Sequence, residues 1–214
     1  MSDIFREIDE ELRRENFGKL WERYGQYLVG LAIVIVLATG AVVGWREYQA
    51  RTQRAESVRY AAAMELAQKN ELARAADDFA ALARDSGGGQ AALARLQEAA
   101  LRARAGDEKA AIATYKTIAQ DGTIDTVYRD LATLLAALHG LASSEPKAII
   151  DEVAGLTNTT NPWHASALEI TALAHLRAGE REKAHEIYKG LADDLAAPQG
   201  LRARAAEMSA ALSN

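Results

Sequence analysis

Four histidines, His139, His164, His175 and His185, are the side chains of this 214-residue sequence best suited to proton transfer or metal binding near neutral pH. Their spacing supports neither role. Metal sites draw ligands from positions three to five apart on one helix, or add carboxylates at short spacing, and no such grouping occurs. There is no cysteine, which excludes a thiolate metal site, a cysteine nucleophile and a disulfide framework. No serine stands in a nucleophile elbow, and the glycine run 87–89 lacks the strand and lysine of a phosphate loop. Asp77-Asp78 and Asp193-Asp194 read as solvated helix faces. The chain therefore reads as a non-enzyme, with no cofactor and no metal.

The remaining question is what elements such a chain builds. Lysine plus arginine is 25 against 30 acids, a net charge of −5, which argues against nucleic acid as a partner. The mean hydropathy of −0.17 is that of a soluble protein, but the apolar content is concentrated. Residues 24–45, YGQYLVGLAIVIVLATGAVVGW, hold no charge and are bounded by Arg23 and Arg46. A helix of this length reaches roughly 33 Å, enough to cross a hydrocarbon core. Trp21, Tyr24 and Tyr27 at one end and Trp45 and Tyr48 at the other match interfacial aromatic belts. Twenty-three residues of mixed charge come first, so an uncleaved signal anchor in the lipid bilayer is favoured over a cleaved leader. Flanking positive charges are balanced, four on each side, and leave the orientation open. Long domains translocate largely regardless of charge, which favours a cytoplasmic tail and a long domain on the far side. Gly40 and Gly44, with Ala41 beside them, form a small-residue surface for another membrane helix, from a partner or from a homodimer.

Ahead of the span, Ile4, Ile8 and Leu12 repeat every four residues among mostly charged positions. This predicts an amphipathic tail helix over residues 1–23, which lies against headgroups or docks a cytosolic protein. With seven acids and five bases it is not a polybasic lipid anchor.

After the span, residues 46–214 are about one quarter alanine, a composition of closely packed helices. Neither glycine nor proline occurs between Trp45 and Asn70, so the membrane helix is expected to run on into the first helix of this domain. Residues 105–119 and 178–192 align without gaps at an offset of 73. Half that offset brings Ala75 and Phe79 onto Ala111 and Tyr115, and a weaker copy at 148–156 needs a one-residue slip. The fold class expected is all-α: one transmembrane helix, then about four tetratricopeptide-like helix pairs and a closing helix over residues 199–212. Small Ala75, Ala111 and Ala184 let paired helices approach, and Phe79, Tyr115 and Tyr188 fill the gap to the next unit. Gly106 and Gly179 mark the turns, Pro162 and Pro198 the unit boundaries, and the segment 85–90 a flexible linker. Arg95 and Arg102 stand where the repeat consensus wants bulky apolar residues. Aligning the first helices places Tyr60, Met64, Arg104, Glu169, Leu173 and Arg177 on a groove suited to protein or peptide clients.

The tail ending in KLWERYGQYLVG, the span ending in GAVVGWREYQ and the degenerate repeats together resemble the YfgM-like ancillary subunits of the SecYEG translocon, a bacterial family. The specific part of the resemblance covers about residues 18–48, and Gly44-Trp45 is its clearest piece. What it implies is a single-pass inner-membrane protein with a periplasmic repeat domain. Its partners would be the SecYEG translocon and a membrane-anchored prolyl isomerase chaperone, and its role the hand-over of exported proteins to periplasmic chaperones. The resemblance carries no catalytic residues. The alternatives are a scaffold or assembly factor for another membrane or envelope complex, and a solenoid binding envelope components.

Overall fold

Long stretches free of proline, rich in alanine and leucine, favour uninterrupted helix. The structure, a computed structural model, describes residues 2–213, with side chains described from Arg23 onward except 28 and 32. It is all-helical, with 82% of residues in helices and no strand among those described. The apolar side expected for the tail, Ile4, Ile8 and Leu12, falls on side chains outside the described ones.

The chain divides into two units, Met1–Ala55 and Glu56–Asn214. Helix α1 spans Ser2–Gln68, consistent with the absence of breakers after Trp45. In the first unit, one stretch of α1 is long and apolar enough to cross a membrane, and none of it is buried in the chain. Its large side chains are all exposed, from Val29 through Trp45. The hydroxyl of Thr39 within it is satisfied internally, Thr39 Oγ1 donating to the Ile35 carbonyl at 2.8 Å. In an apolar medium an unsatisfied polar group costs several kcal/mol, so this bond suits a spanning helix.

The second unit contains the end of α1 followed by α2 (Leu72–Asp85), α3 (Gly88–Arg104), α4 (Glu108–Gln120), α5 (Thr126–Gly140), α6 (Pro146–Val153), α7 (His164–Arg177), α8 (Arg181–Asp193) and α9 (Gln199–Leu212). The helices pair as α1/α2, α3/α4, α5/α6 and α7/α8, and α9 closes the array. The first helices touch in sequence, α3 with α5, α5 with α7 and α7 with α9. The second helices α2, α4 and α6 pack against the first helix that follows them, and α8 packs against α7 and α9.

Turn chemistry sets the angle within three of the four pairs. Gly106 and Gly179 have φ of +87° and +77°, and Asn70 takes the same left-handed conformation at +62°. Each closes its helix with the same two hydrogen bonds. Asp107 N–H reaches Arg102 O at 2.9 Å and Gly106 N–H reaches Ala103 O at 3.0 Å. Asn70–Glu71 and Gly179–Glu180 repeat that pattern. This is a Schellman ending, which glycine adopts without strain and asparagine at modest cost. Asp107 then caps α4, its carboxylate accepting from Ala110 N–H at 3.1 Å.

Packing follows the alanine–aromatic pattern. Ala75, Ala111 and Ala184 are fully buried, as are Phe79, Tyr115 and Tyr188. A buried aromatic removes 150–250 Å² from water, roughly, so these three rings carry much of the repeat's stability. Four apolar clusters result, and each mixes neighbouring pairs. Phe79 packs with Ala63 and Leu101, Tyr115 with Ala92 and Ala136, Val153 with Leu134 and Ile170, and Tyr188 with Ala172 and Leu201. The third pair departs from the pattern. Ile149 and Val153 stand where the other pairs have alanine and an aromatic, and the small residue moves across to Gly140 on α5. A Cβ on Gly140 would meet Ile149 Cδ1 at 3.1 Å.

The segment 85–90, expected as a flexible linker, is shorter than its glycine content implies. Helix α2 runs to Asp85 and α3 starts at Gly88, leaving Ser86 and Gly87 between them. Gly88, at φ +56°, opens the first turn of α3.

Candidate protein-binding groove

Helix α3 has two faces of opposite character. Arg95 and Arg102 point toward the second-helix side, where carboxylates meet them. Arg95 Nη1 donates to Asp121 Oδ2 at 2.9 Å, Arg102 Nε donates to Glu98 Oε1 at 3.0 Å, and Arg102 Nη2 lies 3.5 Å from Asp77 Oδ1. These pairs answer why arginine is tolerated at positions the repeat consensus fills with bulky apolar residues. The aliphatic stems pack and the heads reach acids at the rim. Asp121 is held down to about 2 by the hydroxyl and amide of Thr123 and by Arg95.

The other face of α3 looks into a trough in the first-helix layer. Gln90, Leu93, Gln97, Ala100 and Arg104 follow at spacings of three and four, which puts them on one side of a helix. A groove of about 200 Å³ is lined by Glu56, Ser57, Tyr60, Leu82, Ser86, Gln90 and Leu93. A second, of about 550 Å³, shares Leu93 and continues past Leu96, Ala100, Leu131 and Leu135 to Arg104 and His139. The walls are mainly apolar. Tyr60 stands edge-on to Phe79, ring centres 5.0 Å apart, and His139 stacks on Tyr115 at 5.7 Å. Polar groups are few. Ser86 Oγ is shut off from solvent and has no hydrogen-bond partner among the described residues.

The six residues expected on a groove fall into three situations. Tyr60 and Arg104 line this trough. Met64 packs against the core around Phe79, and Leu173 is half-buried on α7. Glu169 and Arg177 have partners inside the chain. Glu169 accepts two bonds from Arg204 of α9, both at 3.0 Å, and Arg177 Nη1 donates to the Ser144 carbonyl at 2.8 Å. Glu169 also adds its negative charge to the burial that pushes the Tyr188 phenol up to about 12. Leu93, Gln97, Leu131, Leu135 and His139 complete the trough and were not singled out from sequence. The i, i+3, i+7 spacing on α3 was the available signal.

Gly40, Ala41 and Gly44 are exposed on α1, and a Cβ added at either glycine meets nothing within 4 Å. Among the described residues no three metal-ligating side chains gather. His164 Nδ1 lies 2.7 Å from the Thr157 carbonyl, and His175 Nδ1 lies 2.5 Å from Glu180. Both histidines therefore fasten turns. The Glu180 carboxyl is held below its ordinary value by Lys183 first and then by His175.

A tetratricopeptide repeat-like domain model matches residues 19–208. The chain belongs to the tetratricopeptide repeat-like family. Folds of this family are generally non-catalytic scaffolds for protein interaction, which fits a trough with apolar walls. The match starts ahead of the apolar stretch at 24–45 and covers all the helix pairs, α9 included to within its last turn. A comparison with curated proteins returned no match.

Proposed function

We propose that the chain is a single-pass membrane adaptor with a cytoplasmic tail at 1–23, a spanning helix at 24–45 and a protein-binding domain at 46–214. The observation that carries this reading is the pairing, in one chain, of a repeat domain of the interaction class with a 22-residue charge-free stretch whose side chains are all exposed where described. In water such a stretch would expose far more contiguous apolar surface than soluble proteins tolerate. In a bilayer it satisfies its own backbone and needs no partner.

The more specific reading is an ancillary subunit of the Sec translocon in a bacterial inner membrane. The repeat domain then lies in the periplasm and passes exported proteins to a membrane-anchored prolyl isomerase chaperone. It rests on the resemblance at residues 18–48 and on the interaction fold. The other reading is a scaffold for a different membrane complex, and the two differ in what they touch. A photo-crosslinker at Leu93 and another at Gly44, in intact membranes, should recover translocon subunits. Recovery of only homodimers, or of a different complex, overturns the translocon role. A reporter fused after Asn214 should be active on the periplasmic side, and cytoplasmic activity there overturns the orientation.

A further inference from the structure

The two arginines that break the repeat's apolar rule frame a cavity on the side of α3 that faces away from the trough. Arg95, Glu98 and Arg102 follow at spacings of three and four, which puts them on one face of the helix. They form the floor of a valley of about 330 Å³ between α2 and α4. Those two helices present Ala80, Ala83 and Ala113 to it, so much of the wall is too short to fill the space. Between the next two second helices the gap is spanned, with Lys116 of α4 lying 3.4 Å from Glu152 of α6. No ion pair joins α2 to α4 among the described residues.

Three guanidinium groups line this valley against one carboxylate. That carboxylate, Glu98, is already met by Arg102 at 3.0 Å, and Arg102 also reaches Asp77 at 3.5 Å. Arg95 is in a different position. Its side chain is only 32% exposed, yet it uses one of its five N–H donors, on Asp121 Oδ2 at 2.9 Å. Asp121 does not depend on that bond, because its other oxygen accepts from the Thr123 amide at 3.0 Å and from the Thr123 hydroxyl at 2.6 Å. Thr114 of α4 is half-buried in the valley wall, and its hydroxyl bonds to nothing among the described residues. Arg84, in the last turn of α2, stands at the rim without an acid partner. Spare donors therefore converge from three helices on one cavity. Guanidinium forks match the oxygens of phosphate, and donors arriving from three directions suit a tetrahedral anion better than a flat carboxylate.

From this convergence we infer that the valley binds a phosphate monoester. Arg95 and Arg84 hold its oxygens, Thr114 donates a third bond, and the alanine walls cover the organic group. The volume falls in the range of small-molecule pockets, roughly 300–1,000 Å³, and leaves space beside the phosphate for a small polyol. Soluble sugar phosphates and the headgroup of phosphatidic acid share this chemistry. The site is separate from the first-helix trough and does not depend on a client binding there.

The test uses the full chain in phosphatidylcholine nanodiscs, titrated in a calorimeter with glycerol 3-phosphate and, in a second arm, with soluble dihexanoyl phosphatidic acid. At least one probe should bind saturably. Tighter binding of the lipid assigns a headgroup as the source, and equal binding assigns a soluble ester. Arg95→Gln should weaken binding about tenfold, and Lys189→Gln, which removes an exposed charge on α8, should leave it unchanged. Asp121→Asn should tighten binding, because it releases Arg95, although it removes an ion pair from the fold; a purely structural pair gives no such gain. Arg84→Gln removes an exposed, unpaired side chain, so an unchanged melting temperature with weaker binding keeps the test decisive if Arg95→Gln fails to fold. Absence of saturable binding for both probes overturns the inference. So does an equal loss in Arg95→Gln and Lys189→Gln, which would mean diffuse attraction to positive charge.

Discussion

At the residue scale, the protein's stability depends on a small set of fully buried side chains whose size is matched across a helix contact. Phe79→Ala or Tyr188→Ala should cost about 3–5 kcal/mol, read as a shift in chemical unfolding, because each leaves a cavity between two helix pairs. Gly140→Val should cost about 1–3 kcal/mol, since the nearest atom to its new Cβ is Ile149 Cδ1 at 3.1 Å. Ile149→Ala in the same chain should recover part of that loss, and a double-mutant cycle measures the coupling; strict additivity would mean that the two do not share a contact. Asp121 supplies the acid dependence. Its carboxyl sits at about 2 in the folded chain against an ordinary 3.8. A lowered folded-state value contributes stability that is whole above the ordinary value and lost as pH falls through the interval between the two. Asp121→Asn should therefore lower the urea midpoint at pH 7, with the difference from wild type closing between about pH 4 and pH 2.

At the element scale, the helix pairs were readable from sequence where a local rule fixes them. The 73-residue offset located two turns because Gly106 and Gly179 occupy the same place in each copy, and φ of +87° and +77° there is what glycine supplies without strain. Asn70 performs the same turn without announcing it, since asparagine is as common in other loops. The exchange of small and large residues between Gly140 and Ile149 was not readable, because it is a contact across a turn and leaves no period in the sequence. The groove shows the same division. Tyr60 and Arg104 could be placed by aligning first helices, but the partners of Glu169 and Arg177 lie on α9 and on the α5–α6 turn, which no alignment of first helices includes. The turn rule predicts an asymmetry. Gly106→Val should destabilise by roughly 1–2 kcal/mol, and Asn70→Gly should be neutral or mildly stabilising, as measured by thermal melting.

At the scale of the whole molecule, the second unit is a row of four apolar clusters joined through shared helices. Helix α5 gives Ala132 and Ala136 to one cluster and Leu134 and Ala137 to the next. In such a row each pair is stabilised by its neighbours, so damage stays near where it is made. Leu201→Ala at the closing helix should raise amide exchange in α8 and α9 and leave α2 to α4 protected as in wild type. A uniform rise across all helices would show that the unit opens all at once.

The three Schellman turns also govern where this chain tolerates added length. Each closes its pair through backbone bonds counted residue by residue, so one inserted residue removes both bonds and rotates the following helix by about 100°. The connection after Leu156 is different. Its seven residues, 157–163, are held mainly by side chains: Asn158 Oδ1 accepts from Thr160, Asn161 Nδ2 donates to Asp130, and Trp163 Nε1 donates to the Val127 carbonyl. An epitope or fluorescent domain spliced between Asn158 and Thr159 gives up only the local bonds from Asn158 to Thr160 and Asn161, and leaves every helix and the three Schellman turns unaltered. For anyone labelling the protein, that loop is the natural attachment point, and the compact turns at Asn70, Gly106 and Gly179 are the positions to leave untouched.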